Sequence, residues 1–309
     1  MRLCTFSTGG STHFGAIVGD RVVDLVGAAG ALGKATPAAG DLRGLIEAGT
    51  SATNAVREIV DAIDGQTDAN WAWSLGDVTL HHPYRPRKNV IRAGANVRRP
   101  KANEGDGPAA VTLPPGRWLR GFPIAYYTKA PTAVLDPEQA ISWPTSLTQQ
   151  VYAEPQLAIV VGGVISYASP DEALENVFGY AVATDVSALD LRIRHGQWPK
   201  AGSLDTFFPW GPAIVTRDEV GDEALEITLD LNGLTVLRAS TADSLLSVGE
   251  MLAEISTGIR LDPGDVLMLG VPEVIGFGQS PTRWLGAGDR VTSTVAGVGS
   301  ITNPVQPVA

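Results

Sequence analysis

The chain has 309 residues, 44% hydrophobic and 18% charged, a globular composition long enough to bury a core without covalent staples. Its net charge of −10 argues against nucleic acid, whose phosphates need a basic footprint. The single cysteine, Cys4, excludes an intramolecular disulfide framework, and no apolar run approaches the roughly 18 residues that cross a bilayer. These features predict a soluble, cytoplasmic protein with no membrane partner, in which Cys4 is a small buried hydrophobe.

Strands are predicted over Arg2–Ser7, Phe14–Val18 and Arg21–Leu25, with the Gly19-Asp20 turn joining the last two. Residues 41–49 and 52–63 read as helices. Asp41 is the expected cap of the first and Gly49 its end, while Val56, Ile59, Val60 and Ile63 recur at helical spacing in the second. Pro83-Tyr84-Arg85-Pro86-Arg87-Lys88 then reads as a linker, which predicts a small N-terminal α+β domain over 1–84 and a larger β-rich domain over 85–309.

Beyond the linker, Val- and Ile-rich strands are predicted at Asn89–Ala93, Ala125–Thr128, Gln156–Val161, Tyr180–Thr184, Ala213–Thr216 and Leu225–Leu231. Residues 98–121 carry Gly, Pro and Arg without period and read as a long loop. Asn232-Gly233 marks a hairpin into Thr235–Ser240. Helices are expected at Pro170–Asn176, capped by Ser169 and read as a crossover between the strands on either side of it, and at Val248–Ser256, closed by Gly258. The basic cluster from Arg85 to Lys101 is either a solvated loop or an anion-binding segment. Trp118, Trp143 and Trp210 read as core or interface packing.

Several segments, in order along nearly the whole chain, resemble the fumarylacetoacetate hydrolase superfamily. They are Arg2–Phe6 with Gly15–Leu25, Gly94-Ala95-Asn96, Gln156–Gly162, Gly179–Ala188, Asp205–Pro212 and Asp262–Leu267. The resemblance implies an α+β, β-rich fold, a small N-terminal domain followed by a mixed β-roll. It also implies a homodimer, a small-molecule substrate of the dicarbonyl or 2-oxo acid type, and C–C hydrolysis, decarboxylation, hydration or tautomerisation, commonly with Mg²⁺.

By the same resemblance the metal ligands are Glu154, Gln156 and Asp185. Residues i and i+2 of a strand point the same way, so the first two would converge on one ion. Gln156 stands where the superfamily has a carboxylate, which implies a weakened Mg²⁺ site or none. Gln156→Glu is then expected to strengthen metal binding, unless the amide coordinates or Arg192 or another cation fills the position. The superfamily's His-x-x-Glu proton-transfer pair falls on Pro100 and Asn103, which cannot serve; Glu104 or His195 is the candidate replacement. Further departures are Gly202 for a Lys, Leu189 for an Arg, Arg192 for a Gln and Val271 for a Thr. Candidate substrate contacts are Arg98, Lys129, Tyr127, Arg192, Gln197 and Val271. Two readings remain, an ordinary oxo-acid enzyme or a member repurposed without metal for a cyclisation or isomerisation; a catalytically silent binding protein is the third.

Overall fold

A computed structural model of the chain describes residues 1–37, 39–63, 70–94, 96, 124–221, 224–270 and 282–308. Its elements run β1 (Arg2–Thr8), β2 (Ser11–Val18), β3 (Arg21–Asp24), α1 (Leu25–Ala31), α2 (Leu42–Ala48), α3 (Thr50–Ala62), β4 (Ala72–Ser74), β5 (Thr79–Leu80), β6 (Val90–Gly94), β7 (Ala125–Lys129) and β8 (Val134–Leu135). They continue with β9 (Val151–Val161), α4 (Pro170–Glu175), β10 (Val177–Ala188), α5 (Leu189–His195), α6 (Trp198–Gly202), β11 (Phe208–Thr216) and α7 (Arg217–Val220). The last are β12 (Glu226–Leu231), β13 (Leu234–Ser240), α8 (Val248–Ser256), β14 (Val266–Met268), β15 (Arg290–Val295) and β16 (Gly299–Pro304).

The fold is α+β and strand-rich. Among the described residues one large sheet runs β4-β3-β2-β1-β11-β10-β9-β14-β6-β7, with β5 beside β1 and β8 beside β11; a second runs β13-β12-β15-β16. The N-terminal strands join the large sheet through β1, where Arg2, Leu3 and Cys4 oppose Val215, Ile214 and Ala213 of β11. Tyr84, in the segment read as a linker, is buried against Trp210, edge-on with ring centroids 5.1 Å apart, and its hydroxyl donates to the Gly264 carbonyl at 3.1 Å.

Local chemistry explains several elements. Asp41 accepts from Gly44 N at 2.6 Å to cap α2, and Ser169 and Glu172 form a reciprocal capping box on α4. Asp24 ends β3 and caps α1 by accepting from Val26 N, so the chain turns helical at Leu25 instead of extending the strand. Asn232 and Gly233 take φ of 55° and 82° in the β12–β13 turn. Cys4 is fully buried, and burial pushes its thiol pKa up to about 12. Trp143 and Trp210 are core residues, while Trp118 and the loop expected over 98–121 lie outside the described residues.

One expectation is corrected. The helix at Pro170 was read as a crossover, but β9 and β10 pair antiparallel along eleven registered residue pairs, so α4 sits in a hairpin connection. This hairpin is the centre of the fold, and both strands are buried almost throughout. Among the described residues β14 pairs with Ala158–Val160 of β9, and Pro155, which has no N–H to donate, lies before that pairing, across from Thr184 of β10.

Candidate functional site

Side-chain alternation sorts β9 and β10 into two faces. On one face Thr184 meets Ser293 of the small sheet, Oγ1 to Oγ 2.7 Å. The opposite face carries Glu154 and Gln156 on β9 and Asp185 on β10, with Glu154 directly across from Asp185. The same sheet brings in β6 and β7, where Arg92 lies across from Tyr127 and Lys129 follows two residues later. Six polar side chains thus gather on a sheet interior.

Their pairing is specific. The Arg92 guanidinium donates through Nη1 to Asp185 Oδ2 and through Nη2 to Glu154 Oε2, bridging two strands, and all three residues are at most 1% exposed. Lys129, also fully buried, places Nζ 2.5 Å from Asp185 Oδ1 and 2.8 Å from the Val186 carbonyl, and donates to the Gly202 carbonyl as well. Three acceptors around one nitrogen match the three N–H bonds of an ammonium. Burial pushes the Lys129 pKa down, while the Asp185 carboxylate works in the other direction. A buried ion pair holds only when its hydrogen bonds offset the lost hydration, and this one is tied on several sides. The Tyr127 hydroxyl donates toward Asp185 Oδ2 at 3.4 Å.

Aromatic rings continue the cluster. Arg92 Cζ lies 5.1 Å from the Tyr127 centroid, Tyr127 stacks on Trp198 at 4.4 Å, and Arg192 Cζ lies 3.2 Å over the Trp198 ring.

The family described as fumarylacetoacetate (FAA) hydrolase C-terminal matches residues 89–306, which hold every member of this cluster. The chain belongs to the fumarylacetoacetate hydrolase superfamily. It is 30% identical over 238 residues to oxaloacetate tautomerase YisK of Bacillus subtilis, covering 76% of each chain. It is 32% identical over 261 residues to protein Rv2993c of Mycobacterium tuberculosis, covering 84% of this chain and 91% of that one. Among solved structures, the fumarylacetoacetate hydrolase of Exiguobacterium antarcticum superposes with a TM-score of 0.80 at 29% identity over the whole of both chains. The chain is an enzyme of this superfamily.

The superfamily's metal does not fit the residues present. Mg²⁺ needs oxygen ligands in near-octahedral array at roughly 2.0–2.1 Å. The expected set, Glu154, Gln156 and Asp185, does share one face, but a guanidinium joins its two carboxylates. The third oxygen, Gln156 Oε1, accepts from Gly270 N at 3.0 Å. Among the described residues no group of three or more His, Cys, Asp or Glu side chains is arranged for a metal. Of the cations expected at this position, Arg192 sits on Trp198 instead, and the residue that fills it is Arg92. The signal for it was a charged residue inside the apolar strand Val90-Ile91-Arg92-Ala93.

The other expected site residues are placed unevenly. Tyr127 and Lys129 are in the cluster, but the buried Lys129 ammonium is bonded to two carbonyls and ion-paired with Asp185, which argues against direct substrate contact. Gly202 leaves room for that ammonium, since a Cβ there would come within 3.2 Å of Nζ. His195 is exposed in the last turn of α5 and Gln197 is exposed just before α6; no interaction among the described residues links either to the cluster. Arg98, Glu104 and Val271 lie outside the described residues. Two open clefts of about 530 and 440 Å³ lie elsewhere, and none of the six cluster side chains lines them. Buried, paired charge makes the cluster a stronger candidate site than those surface clefts.

Proposed function

We propose that this enzyme moves a proton within a small 2-oxo acid, a keto–enol tautomerisation or isomerisation, and does not hydrolyse a C–C bond. The observation that carries the reading is Gln156. Its Oε1 is held by Gly270 N, which fixes the amide with Nε2 as the free end. Nε2 is fully buried and has no acceptor among the described residues. A buried donor without an acceptor is costly to keep, so a ligand oxygen is its natural partner.

Moving a proton beside a carbonyl develops negative charge on the carbonyl oxygen. A fixed N–H donor on the strand face that also carries Glu154, the partner of Arg92, stabilises that enolate. For the proton itself the described candidate is Tyr127, a buried hydroxyl beside Asp185 with a guanidinium over its ring. Glu104 and His195 remain candidates to be replaced alongside it. Similarity to an oxaloacetate tautomerase supports oxaloacetate as the first substrate to try.

The test follows loss of enol absorbance from oxaloacetate. Gln156→Leu should lower kcat by roughly 10²-fold or more, as loss of one oxyanion donor does, with a smaller change in KM. Tyr127→Phe should cost about 10²-fold. Acylpyruvate cleavage that outpaces tautomerisation, or full activity in Gln156→Leu, would refute the reading.

A further inference from the structure

The buried cluster also carries an inference about its own charge. Glu154 and Asp185 have no access to solvent, and together they hold two negative charges at one spot on a sheet face. A divalent ion would balance such a pair. Here the balance comes from Arg92 and Lys129, two positive charges on neighbouring strands. Two against two leaves the cluster neutral.

We propose that Arg92 is a built-in replacement for the divalent ion, and that Gln156 is its electrostatic counterpart. The guanidinium reaches one carboxylate with each terminal nitrogen and so bridges β9 to β10, as a shared ion would. Its charge is permanent at any ordinary pH, and its planar fork is preset for carboxylates. A third carboxylate at 156 would leave one buried negative charge with no partner. Glutamine keeps the shape and removes the charge, and its oxygen is committed to Gly270 N. Arg92 and Gln156 are therefore two halves of one change. A third residue agrees: Gly202 supplies the carbonyl and the space that Lys129 needs to contribute the second positive charge.

Mn²⁺ is the probe, read by electron paramagnetic resonance of the free ion and by the melting temperature with and without it. Substrate is left out, so the result is separate from the reaction proposed above. Wild type should show no stoichiometric site and no Mn²⁺-dependent shift in melting. Arg92→Ala should acquire one site, and Arg92→Ala/Gln156→Glu should bind roughly tenfold more tightly again, since each added anionic oxygen favours a hard cation. A bound ion stabilises the folded state by mass action, so both variants should melt higher in Mn²⁺. If the alanine variants do not fold, Arg92→Gln, which keeps most of the volume and one donor, must still bind Mn²⁺ more tightly than wild type. The proposal is overturned if wild type takes up one Mn²⁺ that Glu154→Gln abolishes. It is equally overturned if no folded Arg92 variant binds better than wild type.

Discussion

Replacing Arg92 with methionine keeps the volume near that of the native side chain and removes its charge. Glu154 and Asp185 would then share a fully buried position with Lys129 as their cation. Breaking a buried ion pair from one side costs about 3–5 kcal/mol, because the partner left behind is charged and out of water. At about 4 kcal/mol the folded-to-unfolded ratio drops roughly a thousandfold. Urea titration followed by tryptophan fluorescence and far-UV circular dichroism measures it. Arg92→Met/Glu154→Gln removes one charge of each sign and should recover roughly half of the loss or more. A loss below about 1 kcal/mol, or strict additivity in the double variant, would refute the neutral-cluster reasoning.

Gln156→Glu on its own should now leave Mn²⁺ affinity unchanged and destabilise the fold by about 2 kcal/mol, reversing the expectation drawn from the resemblance alone; calorimetry and urea titration check the two halves. Just after β8, Asp136 accepts from His82 N at 2.8 Å and His81 Nδ1 at 3.1 Å, and His81 Nε2 lies 2.9 Å from Ser7 Oγ. Burial alone would raise the Asp136 pKa, but the hydrogen bonds from His82 and His81 hold it well below the usual carboxylate range. A depressed carboxylate contributes stability above its unfolded pKa and loses it as pH falls toward the folded one. Asp136→Asn should therefore cost about 2 kcal/mol at pH 7, and the difference from wild type should shrink as pH falls below about 4. We also propose a homodimer; light scattering at micromolar concentration should give twice the chain mass of 32.3 kDa, and the monomer mass would count against it.

Sequence patterns made the strands, the Asn232-Gly233 turn and the caps at Asp41 and Ser169 readable, because each follows from local chemistry. The meeting of Glu154 with Asp185 was readable too, through strand periodicity and the resemblance together. Arg92 was less so. One charged residue in a short apolar strand is a weak signal by itself, and the pairing of β6 with β7 and β14 is what turns it inward. Two of Lys129's three acceptors are main-chain oxygens of distant segments, which no side-chain pattern announces. The direction of β10 against β9 was missed for a similar reason: a helix between two strands fits a parallel crossover as well as a hairpin, and only the ladder decides.

The guanidinium at the centre of this site has a consequence for inhibitor chemistry. A metal ion attracts any ligand that can chelate it, and hydroxamates and similar bidentate groups draw much of their affinity from that bond. Arg92 has no coordination positions to exchange; it presents flat, directional N–H groups already turned toward its own carboxylates. Compounds selected against metal-loaded relatives should lose their anchor on this protein. Molecules that succeed should instead bring a carbonyl or carboxylate oxygen to the Gln156 amide, so the two kinds of site can be told apart by which inhibitors each one retains.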